Sequence, residues 1–125
     1  KEIFAAFDSQ HIVVANIASP TSERNIEVNS RVCISFVDIF VQKGFKVIGT
    51  ARNIRRSDAD FSKWSTPLEA MAGAKFPIRS VFVIQAVSVE PIIAPSYRLY
   101  TAETTEKSQV ASAMQTYGVQ RSSDV

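Results

Sequence analysis

Five runs rich in β-branched and aromatic residues, each closed by a short polar or proline break, constrain this chain more than any other feature. Such residues fit a pleated, half-buried surface, and the runs have the length of strands. Residues 3–7 (IFAAF) and 11–15 (HIVVA) flank Asp8, Ser9 and Gln10, a polar turn that predicts a hairpin. Residues 31–41 (RVCISFVDIFV) place Val32, Ile34 and Phe36 on one face and Cys33, Val37 and Ile39 on the other, predicting a strand partly buried on both sides. Residues 45–54 (FKVIGTARNI) repeat that pattern after the break Gln42, Lys43 and Gly44, so the two runs predict a second, longer hairpin. The fifth run, residues 78–89, sets Val81, Val83, Val87 and Val89 against Phe82, Ile84 and Ala86, and Pro91 is expected to end it. At least two of these strands are apolar on both faces and only short helices separate them. The expectation is a mainly β fold closed into a small barrel rather than an open sheet.

Helix signals fill the gaps. Thr66, Pro67 and Glu69 read as a capping box ahead of Leu68, Met71 and Ala72, and residues 57–64 read as a separate short helix with Phe61 and Trp64 on one face. Residues 102–117 read as a C-terminal helix carrying Val110, Met114 and Tyr117, with Gly118 as its stop. A chain of 125 residues with 46% hydrophobic content can bury one core without staples, so residues 1–125 read as one domain. The single cysteine, Cys33, excludes an internal disulfide or a Cys-cluster metal site and suits an intracellular protein; beside buried positions it reads as a small hydrophobe. No apolar run approaches the roughly 20 residues of a membrane span. A net charge of +2 is too small for charge-driven capture of nucleic acid.

The chemistry is carried by residues 15–29, ANIASPTSERNIEVN, directly after a strand. Ser19 and Pro20 read as N-cap and first residue of a helix whose opening positions, Pro20, Thr21 and Ser22, hold no acid. Open backbone amides, the hydroxyls of Ser19, Thr21 and Ser22, and the positive end of the helix dipole suit a phosphate monoester. An ordinary Ser-capped helix facing water is the alternative. A dianion also wants fixed cations, and Lys1, Arg24, Lys43 and Lys46 are the candidates.

Residues 11–52, HIVVANIASPTSERNIEVNSRVCISFVDIFVQKGFKVIGTAR, resemble the FMN-binding split β-barrel proteins of the pyridoxamine 5'-phosphate oxidase superfamily. The shared pattern is strand, Ser-bearing turn, helix, strand, Lys-Gly break, then a strand with V-I-G-T-A, and FPIRSVFVIQAVSVEP extends it. The resemblance implies a cytoplasmic flavoprotein with FMN between two protomers of a homodimer, exchanging electrons with a small-molecule donor or acceptor. It implies that Val14, Ala15 and Asn16 run beside the flavin ring and that Ser19, Thr21 and Ser22 bind the phosphate. It also makes Lys1 the basic residue reaching that phosphate, and has Gln42, Lys43 and Gly44 touch the flavin from the second subunit or at the ring edge. Family members carry one or two strands and a helix before the position of Lys1, so the barrel's first strands are expected to lie outside this chain. The vitamin B6 oxidase's Arg- and His-bearing terminal motif has no counterpart in MQTYGVQRSSDV, which argues against pyridoxamine phosphate as substrate.

Other residues invite quieter readings. His11 is the lone histidine and reads as structural, since no triad or multi-His site can form. Asp38, inside an apolar strand, is expected to pair with Lys43 or Lys46 across the hairpin. Arg52, Arg55 and Arg56, blunted by Asp58 and Asp60, read as a solvated strand end. Phe61 with Trp64, or Tyr97 with Tyr100, could stack on a flavin but read first as core or interface, while Arg79 could serve a carboxylate or a phosphate. Three functions stay open: an FMN-dependent oxidoreductase, a non-enzymatic flavin carrier or sensor, and a nucleic-acid-binding barrel using Arg55 and Arg56. FMN itself is not separated from haem or a deazaflavin.

Overall fold

The computed structural model describes residues 1–123. In chain order its elements are β1 (Phe4–Ala6), β2 (His11–Asn16), α1 (Pro20–Val28), β3 (Arg31–Asp38), β4 (Lys43–Arg55), α2 (Phe61–Ala72), β5 (Ser80–Ile93), α3 (Ser96–Leu99) and α4 (Glu106–Tyr117). The strands form one sheet in the order β1-β2-β5-β4-β3. β1 pairs antiparallel with β2, Phe4 opposite Val14, and β2 pairs antiparallel with β5, His11 opposite Gln85 and Asn16 opposite Ser80. Both hairpins and all five strands are those the apolar runs predict. Closure is not: β1 and β3 end the sheet, and a barrel exists only when the first and last strands pair. With three residues, all paired to β2, β1 is too short to close it.

Two compact units divide the chain, residues 1–33 with 47–88 and residues 34–46 with 89–125. In the first, Val13 and Ala15 of β2, Ile54 of β4 and Val81 and Val83 of β5 form a core with Ile78 and α2. The opposite sheet face is buried too: Val14, Val47, Ala51, Phe82 and Ile84 are each at most 7% exposed. Central strands apolar on both faces produce this double burial. Gly49, in V-I-G-T-A, lies where a Cβ would come 2.2 Å from the Gln85 carbonyl oxygen, so a side chain there would push β4 off β5.

Helix α2 corrects the expectation of two helices broken at Pro67. It is continuous, with Pro67 inside and no capping box at Thr66. Phe61, Trp64, Ser65, Leu68 and Ala72 form one buried stripe across the proline, and packing that stripe outweighs the lost amide. The Thr66 hydroxyl donates to the Ser62 carbonyl at 2.6 Å, satisfying an acceptor in the same turn. Trp64 Nε1 donates to Asp60 Oδ2 at 3.0 Å, and Phe7 stacks on the indole at 4.6 Å. Phe61 and Trp64 are therefore core. His11 is structural: Nδ1 meets the Asp8 carboxylate at 2.9 Å and the ring lies 5.4 Å from Trp64.

In the second unit β3 and its turn are more exposed than expected. Val37 and Ile39 are 48% and 57% exposed and Cys33, at the close of the first unit, is exposed as well, because β3 is an edge strand and ends at Asp38 rather than Val41. The Asp38 carboxylate accepts the backbone amides of Phe40 (2.9 Å) and Val41 (3.0 Å), folding the turn. Lys43 Nζ meets Glu106 at 3.0 Å and Lys46 Nζ meets Glu90 at 2.8 Å. Pro91 does not end β5, which runs to Ile93; the pairing with β2 stops at Gln85, so a residue without an N–H is tolerated beyond it. Helix α4 starts at Glu106, later than expected, because Thr105 and Ser108 form a reciprocal capping box. Gly118 ends it in the left-handed conformation, as its sequence position predicts.

Candidate functional site

The turn between β2 and α1 is organised by Asn16, which is fully buried. Its Oδ1 accepts the Ser19 amide at 3.0 Å, and its Nδ2 donates to Ser80 Oγ at 2.8 Å and Glu23 Oε2 at 3.2 Å. Its carbonyl accepts the Arg79 amide at 2.8 Å. An asparagine ending a strand three residues before a helix start is an Asx-turn signal. Asn16 thus organises the turn, and Val14 is likewise buried.

Ser19 occupies the N-cap position, but its hydroxyl makes no bond to the helix. It accepts a hydrogen bond from Lys1 Nζ, and Lys1 also lies 5.8 Å from the centre of the Phe82 ring. The amides of Thr21 and Ser22 have no carbonyl four residues behind them inside the helix. Pro20, Thr21 and Ser22 are free of acid as the sequence shows, but Glu23 completes the first turn and is nearly buried. Its carboxylate is held by Asn16, by Arg79 at 3.5 Å and by Arg55 at 3.9 Å. Arg79 therefore serves a carboxylate. Arg24 Nη2 donates to Thr21 Oγ1 at 3.3 Å, which keeps that cation on α1's first turn.

Lys1 and Ser19 share a cavity of about 410 Å³ with Glu2, Ile3, Ala15, Ile17, Ala18 and Phe76. Its size falls in the range of small-molecule sites, about 300–1,000 Å³. Three residues named from sequence (Lys1, Ala15 and Ser19) thus meet at one concavity. The aliphatic lining and Phe76 were missed; an aromatic before proline in the connection A-K-F-P was the available signal.

Gln42, Lys43 and Gly44 belong to the second unit, where their groups have partners. Gln42 Oε1 accepts from Gln109 Nε2 at 2.9 Å, and its φ of 61° bends the turn. Lys43, paired with Glu106, also lies 4.4 Å from the Tyr97 ring centre. A Cβ on Gly44 would strike the Phe36 carbonyl. Tyr97 is tied down through its hydroxyl, which donates to the Val41 carbonyl at 2.7 Å, and Tyr100 is exposed. In the basic cluster, Arg55 pairs with Glu27, Arg56 Nε donates to the Ile78 carbonyl at 2.8 Å and the Arg52 guanidinium lies 6.0 Å from the Trp64 ring centre.

No protein-family model and no curated protein sequence matches the chain. Solved structures do. HupZ of Group A Streptococcus superposes with a TM-score of 0.61 at 19% identity, covering 74% of this chain and 75% of that one. A candidate pyridoxamine 5'-phosphate oxidase from Lactobacillus delbrueckii gives 0.56 at 20% identity, covering 72% and 69%. An FMN-binding protein from Syntrophomonas wolfei gives 0.56 at 14%, covering 74% and 65%. The chain shares the fold of these three structures. Among the described residues no helix is long and apolar enough to cross a membrane.

Two donors on the cavity lining suit a phosphomonoester: the Lys1 ammonium and the Ser19 hydroxyl, the latter directly before α1. Ile3, Ala15, Ile17, Ala18 and Phe76 supply the apolar surface a ring-bearing ligand needs. Glu2 is the opposing charge on that lining.

Proposed function

We propose that this chain is an FMN-binding flavoprotein that works as a homodimer and transfers electrons between a small organic substrate and its flavin. The observation that carries the reading is the meeting of Lys1 Nζ and Ser19 Oγ at the start of α1, on the lining of a cavity otherwise mostly apolar. Lys1 and Ser19 bind and orient the phosphate, with the amides of Thr21 and Ser22 and the α1 dipole adding to the attraction. Ala15 and its aliphatic neighbours keep water from the ligand's apolar part. Gln42, Lys43 and Gly44 are assigned to the flavin held by the partner protomer, a role the resemblance implies for them. Once bound, the flavin supplies the two-electron chemistry at its own ring.

The test is the colour of the purified protein, reconstituted with FMN, and its response to NADH or NADPH without oxygen. Loss of the flavin absorbance supports the oxidoreductase. A yellow protein indifferent to both nicotinamides supports a carrier or sensor on the same site. Failure to retain FMN contradicts the proposal.

A further inference from the structure

The connection from α2 to β5 carries an aromatic ring into the lining of the Lys1–Ser19 cavity. Phe76 is 46% exposed and is the one aromatic residue on that lining. The other apolar members, Ile3, Ala15, Ile17 and Ala18, are aliphatic and offer no π-face. Pro77 restricts the backbone of Phe76 to extended conformations. Lys75 Nζ lies 5.7 Å from the ring centre, so the ring has a cation near it as well.

An ammonium, a hydroxyl and a half-exposed aromatic ring on one concavity recognise two properties of a ligand separately. Lys1 and Ser19 answer to a phosphate of any kind. Phe76 answers best to a flat ring, because stacked or edge-to-face arrangements with a second π-system add to the contact any apolar group would make. We infer that Phe76 is the specificity-determining residue of this site, selecting an aromatic phosphomonoester over an aliphatic one. This inference rests on the flavin reading and names what distinguishes that ligand from other phosphates of similar charge.

The experiment compares FMN with ribose 5-phosphate, which carries a phosphomonoester and no aromatic ring, on the full chain and on Phe76→Leu and Phe76→Tyr. FMN is titrated by its fluorescence and ribose 5-phosphate by competition. Phe76→Leu is expected to weaken FMN about five- to tenfold and to leave ribose 5-phosphate unchanged. Phe76→Tyr, which keeps the ring, is expected to restore the affinity for FMN. Equal weakening of both ligands by Phe76→Leu, or weakening of neither, overturns the selection by Phe76 while the flavin reading stands. Failure of the unsubstituted chain to bind FMN overturns both.

Discussion

Replacing Lys1 and Ser19 together by alanine separates binding from folding, because the hydroxyl of Ser19 faces the lysine and not the helix. A serine N-cap normally costs about 1 kcal/mol of stability when truncated, since its oxygen holds an orphan amide. Here the Ser19 side chain caps nothing, and the turn is held by the Asn16 Oδ1 bond to the Ser19 amide at 3.0 Å. The double variant is therefore expected to unfold within about 0.5 kcal/mol of the parent in urea, as surface substitutions do. Its effect on FMN is larger. Lys1 is exposed, so its Coulomb attraction to a phosphate sits near the solvent-screened end, about 1 kcal/mol, and the serine hydroxyl adds a hydrogen bond of about 1 kcal/mol. Together they give about 1.4 to 2 kcal/mol, a ten- to thirtyfold rise in Kd. Fluorescence titration of FMN at 50 mM and 300 mM salt reads both the loss and its electrostatic share. The Lys1→Ala part shrinks at the higher salt, whereas the Ser19→Ala part does not. An unchanged Kd in the double variant refutes the phosphate anchor, and a loss of stability matching the loss of binding refutes the separation of roles.

Glu2→Gln removes the like charge from the cavity lining and is expected to tighten FMN two- to threefold at low salt, measured by the same titration. Asn16→Ala strands the buried Ser80 Oγ and frees the half-buried Ser19 amide, and is expected to cost about 1 to 3 kcal/mol in urea denaturation. Pro67→Ala restores an amide inside α2, and the gain, offset by a looser unfolded chain, is expected at about 1 to 2 kcal/mol with the same assay. The Asp8 carboxyl is held below its ordinary value of 3.8, first by the backbone amide of Gln10 and then by the His11 side chain. A depressed carboxylate stabilises the fold above its unfolded pKa and loses that contribution as pH falls through its folded pKa. The stability gap between the parent and Asp8→Asn is therefore expected to be full near neutrality and to shrink as pH drops below about 4 in denaturation at stepped pH.

The strands were legible because alternation and β-branching report burial directly: residues 78–89 showed apolar side chains on both faces, and Val81 and Phe82 are both buried. What failed were inferences from single residues whose effect depends on tertiary neighbours. Pro67 argued for a break, but the Phe61–Ala72 stripe gains more by staying in register with the sheet than one amide is worth. Pro91 argued for a strand end, yet β5 has already left β2 behind when it reaches that residue. Asp38 looked like half of an ion pair because the sequence cannot show that its carboxylate closes on amides two and three residues ahead. At the candidate site, Lys1 and Ser19 were found from opposite sides of the first hairpin, and the structure brings them into contact. Phe76 was missed because it comes from a connection more than fifty residues away, which no local period announces.

The central claim is that the start of α1 receives a phosphate, and amide chemical shifts of the isotopically labelled chain titrated with FMN test it most directly. The amides of Ser19, Thr21 and Ser22 are expected to move first and furthest, with inorganic phosphate at higher concentration shifting the same three. Flavin-dependent shifts elsewhere that leave those three in place would contradict the account.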